Sequence, residues 1–253
     1  MLSYERQQQI LQLLKEERFV TVPYLCTKLY ASGATIRRDL AEMDEKGLLY
    51  RVRGGAASIE GTSEDAPLLL RTKTEMEKKR IIASLALSYI SEYDTMFFDS
   101  SSTISTLAER LGEHKHLTIV TNGFSTANIL NDFASTKLYL CAGRMQNQSS
   151  IIGPLAIETI NKFCVDKFFF SCCGLSPYAG ITEANEENAT LKRHMFQNAK
   201  TRILLCDSTK FNQEFFCKTC DIQDLDFLIT DEKPPADFLE LFQDTVKIIY
   251  PRT

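Results

Sequence analysis

The sequence predicts an α/β protein of two domains, a small N-terminal winged helix-turn-helix and a larger Rossmann-like domain with a mostly parallel sheet and helices on both faces. Three observations carry this prediction. The 253 residues are 44% hydrophobic and 25% charged, which is typical of globular chains long enough for two cores. Residues 1–57 contain three amphipathic helical patterns and a short hairpin. Residues 75–253 alternate short apolar runs with helical stretches.

Two helical patterns open the chain. In the first, Ile10 and Leu14 lie one turn apart on one face. In the second, Thr21 is placed to cap the N-terminus and Pro23 to occupy the first turn, where its missing N–H is harmless. This second helix and the one after it form a predicted helix-turn-helix at about residues 20–39.

The third helix is predicted to begin after the capping residue Ser32 and to end before Gly47. Its buried stripe consists of Ile36, Leu40 and Met43. The opposite face, near the start of the helix, carries Thr35, Arg37 and Arg38. Hydroxyl and guanidinium groups are therefore expected to face solvent at the N-terminus of this helix.

A hairpin over residues 48–57 follows, with Arg51 and Arg53 on one side of the pleat and a turn predicted at Gly54-Gly55. Arginines can bond guanine edges, while hydroxyl and backbone N–H groups hold phosphates, so this arrangement favours duplex DNA. The candidate DNA-binding residues are Ser32, Thr35, Arg37, Arg38, Arg51, Arg53 and Gly54. The alternative is a solvated helix face on which Arg38 merely pairs with Glu42.

Two stretches of this first domain carry a family resemblance. Residues 32–40, with the sequence SGATIRRDL, and residues 51–56, with the sequence RVRGGA, resemble the DNA-binding signature of the DeoR family of bacterial transcriptional regulators. The resemblance implies that this domain binds a double-stranded DNA operator. The chain departs from the family at Arg53, where a histidine usually precedes the Gly-Gly-Ala of the wing.

Residues 58–74 are polar and rich in turn formers, which predicts a linker between the two domains. A helix is predicted over residues 79–90. Extended runs follow at 95–99, 117–121, 137–141, 165–172, 202–207, 226–230 and 246–250. Because helical stretches separate most of these runs, we expect residues 75–253 to form a parallel sheet with its ligand site at the carboxyl ends of the strands.

Hydroxyl side chains follow the first of these strands. Asp99 is succeeded by a serine-rich loop that opens a helix, where free N–H groups favour an anion such as a phosphate ester. Lys210, after a later strand, would supply the countercharge. The candidate effector-binding residues are Asp99, Ser101, Ser102, Thr103, Asn122, Gly174 and Lys210. The alternatives are that the serines are ordinary helix caps and that Lys210 is solvated.

The second domain extends the resemblance. Its stretches EKKRI, TIVTN, IGPLA, VDK, GIT and DSTKF, which begin at residues 77, 118, 152, 165, 180 and 207, are similar to the DeoR sensor domain. The resemblance implies a fold related to ribose-5-phosphate isomerase and a phosphorylated sugar as effector. Two family glycines are replaced, by Ser101 in the phosphate loop and by Ala142 in a Gly-Gly pair.

Two function classes fit these observations: a DNA-binding repressor controlled by a small ligand, and a sugar-phosphate isomerase with an added DNA-binding domain. Aldose–ketose isomerisation requires a positioned carboxylate. The acidic run of the related isomerases corresponds to residues 171–175, which contain no carboxylate, although Asp99, Glu183 and Glu187 could approach the pocket. We therefore predict a repressor of a sugar-metabolism operon, relieved by a phosphorylated sugar, and no enzyme. Because one recognition helix reads few base pairs, we expect a homodimer or higher homo-oligomer.

The remaining features concern compartment and cofactors. Residues 1–55 hold nine basic and seven acidic side chains, against 20 and 26 in the remainder, which suggests a polyanionic partner for the first domain alone. With no signal-peptide pattern and no long apolar window, we expect a cytoplasmic protein without a membrane span. Its eight cysteines are then expected to be reduced. Cys217 and Cys220 have metal-ligand spacing, but no second ligand pair completes it, so no metal and no cofactor are expected.

Overall fold

The computed structural model describes residues 3–17, 19–46, 48–52, 54–58, 71, 75–147, 149–242 and 244–251. The chain divides into two compact units, Met1–Gly61 and Thr62–Thr253. The linker predicted over 58–74 lies outside the described residues except for Ser58 and Arg71.

The described residues of the N-terminal unit form three helices and three short strands. In chain order they are α1 (Ser3–Glu17), β1 (Phe19–Thr21), α2 (Val22–Leu29), α3 (Gly33–Glu45), β2 (Tyr50–Val52) and β3 (Gly55–Ala57). The side chains of Thr21 and Ser32 cap α2 and α3, as predicted. The predicted apolar stripes meet in one core, which includes Ile10, Leu25 and Ile36. Because these helices are short, this shared core rather than intrinsic propensity stabilises them.

The wing is a three-stranded antiparallel sheet in the order β1-β3-β2. The predicted turn at Gly54-Gly55 is wrong by one residue, because Gly55 pairs with Val52 and belongs to β3. Gly54 lies in the turn with a φ of 92°, a conformation that favours glycine. Gly55 lies in the central strand, where a Cβ atom would stand 2.1 Å from the carbonyl oxygen of Val20. The close approach of β1 therefore requires this second glycine.

The C-terminal unit alternates strands and helices. In chain order its elements are α4 (Met76–Leu87), β4 (Thr95–Phe98), α5 (Ser102–Ala108), β5 (Thr118–Thr121), α6 (Phe124–Leu130), β6 (Lys137–Leu140), β7 (Arg144–Gln146), β8 (Ser150–Ile152), α7 (Pro154–Ile160), β9 (Val165–Phe170), β10 (Gly174–Ser176), β11 (Gly180–Glu183), α8 (Glu186–Gln197), β12 (Ala199–Leu205), β13 (Cys217–Cys220), β14 (Phe227–Ile229), α9 (Ala236–Phe242) and β15 (Lys247–Ile249). Seven strands form one parallel sheet in the order β15-β14-β12-β9-β4-β5-β6. This sheet confirms the Rossmann-like prediction.

Helices cover both faces of the sheet, again as predicted. Successive strand residues point to opposite faces, so Phe97 packs with α7, α8 and α9, whereas Phe98 packs with α4, α5 and α6. The central strands are therefore buried on both sides, which explains their nearly continuous apolar sequences. Of the described helices, none is both long enough and apolar enough to cross a bilayer.

In the described part of the C-terminal unit, five short strands lie outside the parallel sheet, and the sequence pattern does not predict them. β7 pairs with β8 in a hairpin, and β10, β11 and β13 form a small antiparallel sheet. The extended run predicted over 165–172 ends earlier, at Phe170, and the helix predicted over 79–90 spans Met76–Leu87 instead. Strands of three or four residues are too short to show a clear alternation of apolar and polar positions.

Candidate functional site

The N-terminus of α3 presents polar and basic side chains to solvent. Ser32 Oγ accepts a hydrogen bond from the Thr35 N–H at 3.2 Å and lies 2.8 Å from Thr35 Oγ1. Arg37 and Arg38 are exposed. A Cβ on Gly33 would stand 3.2 Å from Arg37 Nη1, which places this guanidinium group over the first turn. The helix start thus offers two guanidinium groups to a partner, while the Ser32 hydroxyl is engaged in capping.

Arg38 also forms the ion pair with Glu42 that a merely solvated helix face would contain. Arg38 Nε lies 3.8 Å from Glu42 Oε1, and the Arg38 side chain is 72% exposed. Exposed pairs of this kind contribute only about 0–1 kcal/mol. A phosphate or a guanine edge can therefore replace Glu42 at little energetic cost, and the pair does not argue against DNA binding.

A buried ion pair holds α3 against α1. The carboxylate of Asp39, which is fully buried, accepts hydrogen bonds from Arg6 Nε, from Arg6 Nη2 at 3.1 Å and from Ser3 Oγ at 2.9 Å. Gln7 donates a further bond to Glu42 at 3.1 Å. These contacts fix the rotation of α3 about its axis, and with it the direction of its exposed face. The sequence signal was an acidic residue within the buried stripe, and it was missed.

The wing is tied to α3 through its backbone. The Arg51 N–H donates to Asp44 Oδ1 at 2.9 Å, and the Arg51 side chain is exposed. Gly54 is exposed at the tip. Arg53 and Gly47, which were predicted as a DNA contact and as the stop of α3, lie outside the described residues.

The serine-rich loop of the C-terminal unit adopts an unstrained conformation. Ser101 has a φ of −76° and caps α5, with its Oγ accepting from the Ile104 N–H at 3.3 Å. Ala142 likewise has no positive φ, whereas Gly143 has a φ of 149° and a Cβ there would lie 2.5 Å from the Ile152 carbonyl oxygen. The backbone at Ser101 and Ala142 therefore tolerates a side chain where the family has glycine.

Polar side chains gather where the loops after β4 and β5 meet the β7–β8 hairpin. Ser100 Oγ lies 2.6 Å from Ser150 Oγ, and a Cβ on Gly123 would stand 3.0 Å from the Ser100 Cα. Three buried oxygen atoms in this region lack a hydrogen-bond partner among the described residues: Thr103 Oγ1, Asn122 Oδ1 and Ser149 Oγ. An unpaired buried polar group costs about 1–3 kcal/mol, so these atoms favour a bound polar partner.

A buried charge network stands beside these loops. Lys192 Nζ lies 2.5 Å from Glu183 Oε1, 2.9 Å from Asp99 Oδ2 and 2.6 Å from the Ser171 carbonyl oxygen. Asp99 also accepts the N–H groups of Ser101 and Ser171 at 2.9 and 3.0 Å. Burial would lower the pKa of Lys192, but the charges of Asp99 and Glu183 raise it above its ordinary value. Asp99 thus positions two loops from the interior, and sequence reasoning missed its partner Lys192.

Lys210 joins the same network from the end of β12. Its Nζ lies 3.0 Å from Ser171 Oγ and 3.2 Å from Asp207 Oδ2, and its side chain is 21% exposed. Ser171 therefore links Lys210 to Asp99, and Asp99 in turn accepts the Ser101 N–H. The sequence predicted that Lys210, Asp99 and Ser101 converge. Gly174 has a different explanation, because a Cβ there would stand 2.3 Å from the Gln213 carbonyl oxygen. The close approach of the Gln213 backbone therefore explains why residue 174 is a glycine, without a contact to a ligand.

Cys217 and Cys220, the two cysteines with metal-ligand spacing, lie on β13. Neither they nor the other six cysteines form a disulfide bond. The β11–β13 register places Cys217 opposite Glu183 and Cys220 opposite Ile181, with Thr219 as an extra residue between them. Burial raises the pKa of both thiols, so they are protonated at neutral pH, whereas metals bind the thiolate. Within the described ranges, no group of three or more His, Cys, Asp or Glu side chains could hold a metal ion.

Two family models match the chain. The DeoR-like helix-turn-helix domain matches residues 6–62, and the DeoR C terminal sensor domain matches residues 74–232. The chain is 34% identical to the HTH-type transcriptional repressor GlcR of Bacillus subtilis (strain 168), over 95% of this chain and 93% of that protein. It is 31% identical to the transcriptional repressor AccR of Agrobacterium fabrum, over 90% of each chain. It is 29% identical to the glycerol-3-phosphate regulon repressor of Escherichia coli (strain K12), over 95% of each chain.

Among solved structures, the chain is similar to ribose 5 phosphate isomerase A from Neisseria gonorrhoeae. The sequence identity is 14% and the TM-score is 0.40, over 55% of this chain and 54% of that one. The likeness concerns the course of part of the backbone.

Proposed function

The chain belongs to the DeoR family of transcriptional regulators, and we propose that it represses a sugar-metabolism operon until a phosphorylated sugar binds its C-terminal unit. The family membership supports DNA binding by the N-terminal unit and ligand sensing by the C-terminal unit. The observation that carries the effector assignment is the set of buried oxygen atoms that have no hydrogen-bond partner among the described residues, beside a network that ends in Lys210.

On the DNA side, we assign base contacts to the side chains at the start of α3. Arg37 and Arg38 are exposed and planar, and they project from a helix whose rotation Asp39 fixes. Such groups pair with guanine O6 and N7 in the major groove. Thr35 and the helix N-terminus support phosphate contacts, as do Arg51 and the tip at Gly54. Ser32 acts chiefly through its cap.

On the effector side, the proposed ligand is a phosphorylated sugar. Its phosphate would lie near Lys210 and the start of α5, where Ser101, Ser102 and Thr103 stand. Asn122 would bond a sugar hydroxyl or a phosphate oxygen through its free Oδ1. Asp99 and Gly174 take part only through the loops that they position. Hydrogen bonds to a charged group are the stronger ones, at about 1.5–3 kcal/mol each.

We propose that this pocket binds its ligand without turnover. Within the network, Asp99 and Glu183 both pair with Lys192, and Asp207 pairs with Lys210. Glu187 pairs with Arg144 at 2.7 Å. A carboxylate that already accepts hydrogen bonds from an ammonium group is a weak base for proton abstraction. Interconversion of an aldose and a ketose phosphate at more than about one turnover per second would contradict this and favour the isomerase alternative.

The remaining features of the proposal concern assembly and location. Residues 58–74 would act as the linker between the units, and the protein would act in the cytoplasm, where a DNA-binding regulator meets its operator. At least a homodimer is expected, because one recognition helix contacts too few base pairs for a unique site. Occupation of the pocket lowers DNA affinity only if the ligand binds the DNA-free arrangement more tightly.

The decisive experiment is to sequence the genomic DNA that the purified protein retains, with and without candidate sugar phosphates. We expect a repeated half-site upstream of sugar-metabolism genes, and release of that DNA by one phosphorylated sugar but not by the free sugar. Retention of DNA without sequence preference, or a site that no sugar phosphate releases, would contradict the proposal.

A further inference from the structure

A cavity of about 550 Å³ lies beside α8 and β13, in a part of the C-terminal unit that the proposed effector site does not use. Side chains from α8, β12, β13 and the turn after β13 line it. Pockets for small molecules commonly have volumes of about 300–1,000 Å³. Arg202 lines the cavity from the middle of β12, whereas Lys210 lies beyond the carboxyl end of that strand. The cavity is therefore a separate candidate for ligand binding.

The guanidinium group of Arg202 is oriented by Phe196, but its hydrogen-bonding capacity is only partly used. It stacks on the Phe196 ring with 4.8 Å between the guanidinium carbon and the ring centroid, and its Nε donates to the Phe196 carbonyl oxygen at 3.3 Å. Its two Nη atoms have no acceptor among the described residues. The paired N–H groups of a guanidinium match the two oxygen atoms of a carboxylate. Because Phe196 already holds the group in place, little side-chain entropy is lost when an anion binds.

A buried hydroxyl group in the lining also lacks a partner. Thr219 is the extra residue of the bulge between β11 and β13 and is only 4% exposed. Its Oγ1 has no hydrogen-bond partner among the residues that the structure describes. Bulges often re-aim a side chain beside a functional site. An unpaired buried hydroxyl is unfavourable, so Thr219 favours a bound polar partner.

The acidic side chains of the lining limit the charge of a bound anion. Asp221 is neutralised by Lys218, whose Nζ donates to Asp221 Oδ1. Asp224 is exposed, and within the described part of the chain it forms no ion pair. A phosphate monoester carries a charge of about −1.5 to −2 at pH 7, whereas a carboxylate carries a single charge. Asp224 therefore repels a phosphate group more strongly than a carboxylate.

We propose that this cavity is a second ligand site of the C-terminal unit, and that it binds a small polar monocarboxylate. The two Nη atoms of Arg202 pair with the carboxylate oxygens, and the Thr219 hydroxyl donates a further hydrogen bond to the ligand. Phe196 keeps the guanidinium plane in place. The inference goes beyond the function proposed above and does not depend on it, because none of the assigned effector-binding residues lines the cavity.

The test measures how tightly the full chain binds acetate, gluconate, sorbitol and inorganic phosphate, by ligand-observed NMR titration at constant pH and ionic strength. Gluconate carries a carboxylate where sorbitol carries a CH₂OH group, so this pair isolates the contribution of the charge. We expect both carboxylates to bind, and gluconate to bind at least about tenfold more tightly than sorbitol. Dissociation constants above about 10 mM for both carboxylates, or equal affinity for gluconate and sorbitol, would overturn the inference.

Variants of the lining assign the binding to its residues. Arg202→Met should weaken carboxylate binding about ten- to a hundredfold, because it removes charge-assisted hydrogen bonds. Arg202→Lys should also weaken it, since an ammonium group lacks the paired N–H groups. Thr219→Val should weaken binding about two- to tenfold without lowering the unfolding temperature, because it removes an unpaired buried hydroxyl and keeps the shape of the side chain. Lys200→Met is the matched control, since this lysine of β12 forms an exposed pair with Asp166 and should leave binding unchanged.

Wild-type affinity for both carboxylates in Arg202→Met would overturn the inference. If Arg202→Met does not fold in a thermal-unfolding assay, unchanged affinity in both Arg202→Lys and Thr219→Val would overturn it. Lys210→Met separates this cavity from the proposed effector site, because it should retain carboxylate binding. Loss of that binding in Lys210→Met would show that carboxylates occupy the effector site and would reject the second site. In the same variant acetate should bind more tightly than phosphate, because Asp224 repels the higher charge, and the reverse order would reject the carboxylate assignment.

Discussion

At the scale of single residues, the two guanidinium groups at the start of α3 are the proposed readers of the operator. Replacing Arg37 or Arg38 with alanine should weaken operator binding by about 1–3 kcal/mol, because each replacement removes the hydrogen bonds of one guanidinium group to a base. Fluorescence anisotropy with a labelled operator at fixed salt measures this. Binding of the double variant within about twofold of wild type would reject the assignment.

Arg51 provides the contrast within the same unit, because we expect it to bind phosphates. Arg51→Ala should weaken binding to all sequences alike and reduce the slope of log K against log salt by about one unit. The sequence predicts a phosphate contact for Arg53 as well, although this residue lies outside the described residues. A weakening confined to the operator sequence would instead show that Arg51 reads a base.

Lys210 is the corresponding residue of the sensor. Lys210→Ala should weaken binding of the cognate sugar phosphate by about ten- to a hundredfold, because it removes a charge-assisted hydrogen bond. Calorimetry across a panel of sugar phosphates measures this, with Lys162→Ala as the control, because this lysine follows α7 and forms an exposed ion pair with Glu158. Equal affinity for sugar and sugar phosphate, or no effect of Lys210→Ala, would refute the site.

At the scale of elements, the ion pair between α1 and α3 determines how the recognition helix is held. Asp39→Asn leaves the buried Arg6 with a poorer partner, and breaking a buried pair costs about 3–5 kcal/mol. Amide hydrogen exchange in α1 and α3 should therefore become at least about a hundredfold faster. Glu45→Gln, which changes an exposed side chain at the end of the same helix, should change exchange little. Similar exchange in both variants would show that the pair does not hold α3.

The strand β13 allows a second prediction at this scale, that Cys217 and Cys220 are structural. Because burial keeps both thiols protonated, protein purified without added metal should contain no stoichiometric zinc by mass spectrometry of the metal. Cys220→Ser should leave that result unchanged. One equivalent of zinc that disappears in Cys220→Ser would overturn the assignment.

At the scale of the whole molecule, DNA recognition requires more than one copy of the chain. We expect light scattering to show a dimer or a larger assembly, and two half-sites separated by whole turns of about 34–36 Å. An operator that keeps one half-site should lose most of its affinity. A monomer that binds a single half-site as tightly as the full operator would contradict this expectation.

Much of the architecture follows from local sequence pattern. The stripe of Ile36, Leu40 and Met43 and the cap at Ser32 predict α3, and the seven apolar runs predict the seven parallel strands. Each of these features depends on which side of a single element is buried, and the spacing of apolar residues in a short stretch of sequence predicts that side. The five short strands outside the parallel sheet and the exact turn of the wing were missed, because so few residues show no clear alternation of apolar and polar positions.

The sequence by itself therefore determined the two units, their classes and the strand ends at which a ligand site should lie. Only the tertiary structure decided which side chains meet there. Asp99 follows β4, whereas its partner Lys192 lies on α8 and Glu183 ends β11. Arg6 on α1 likewise reaches Asp39 on α3. The physical reason is that burial leaves a periodic trace along the chain, whereas the pairing of buried charges depends on how distant elements pack together.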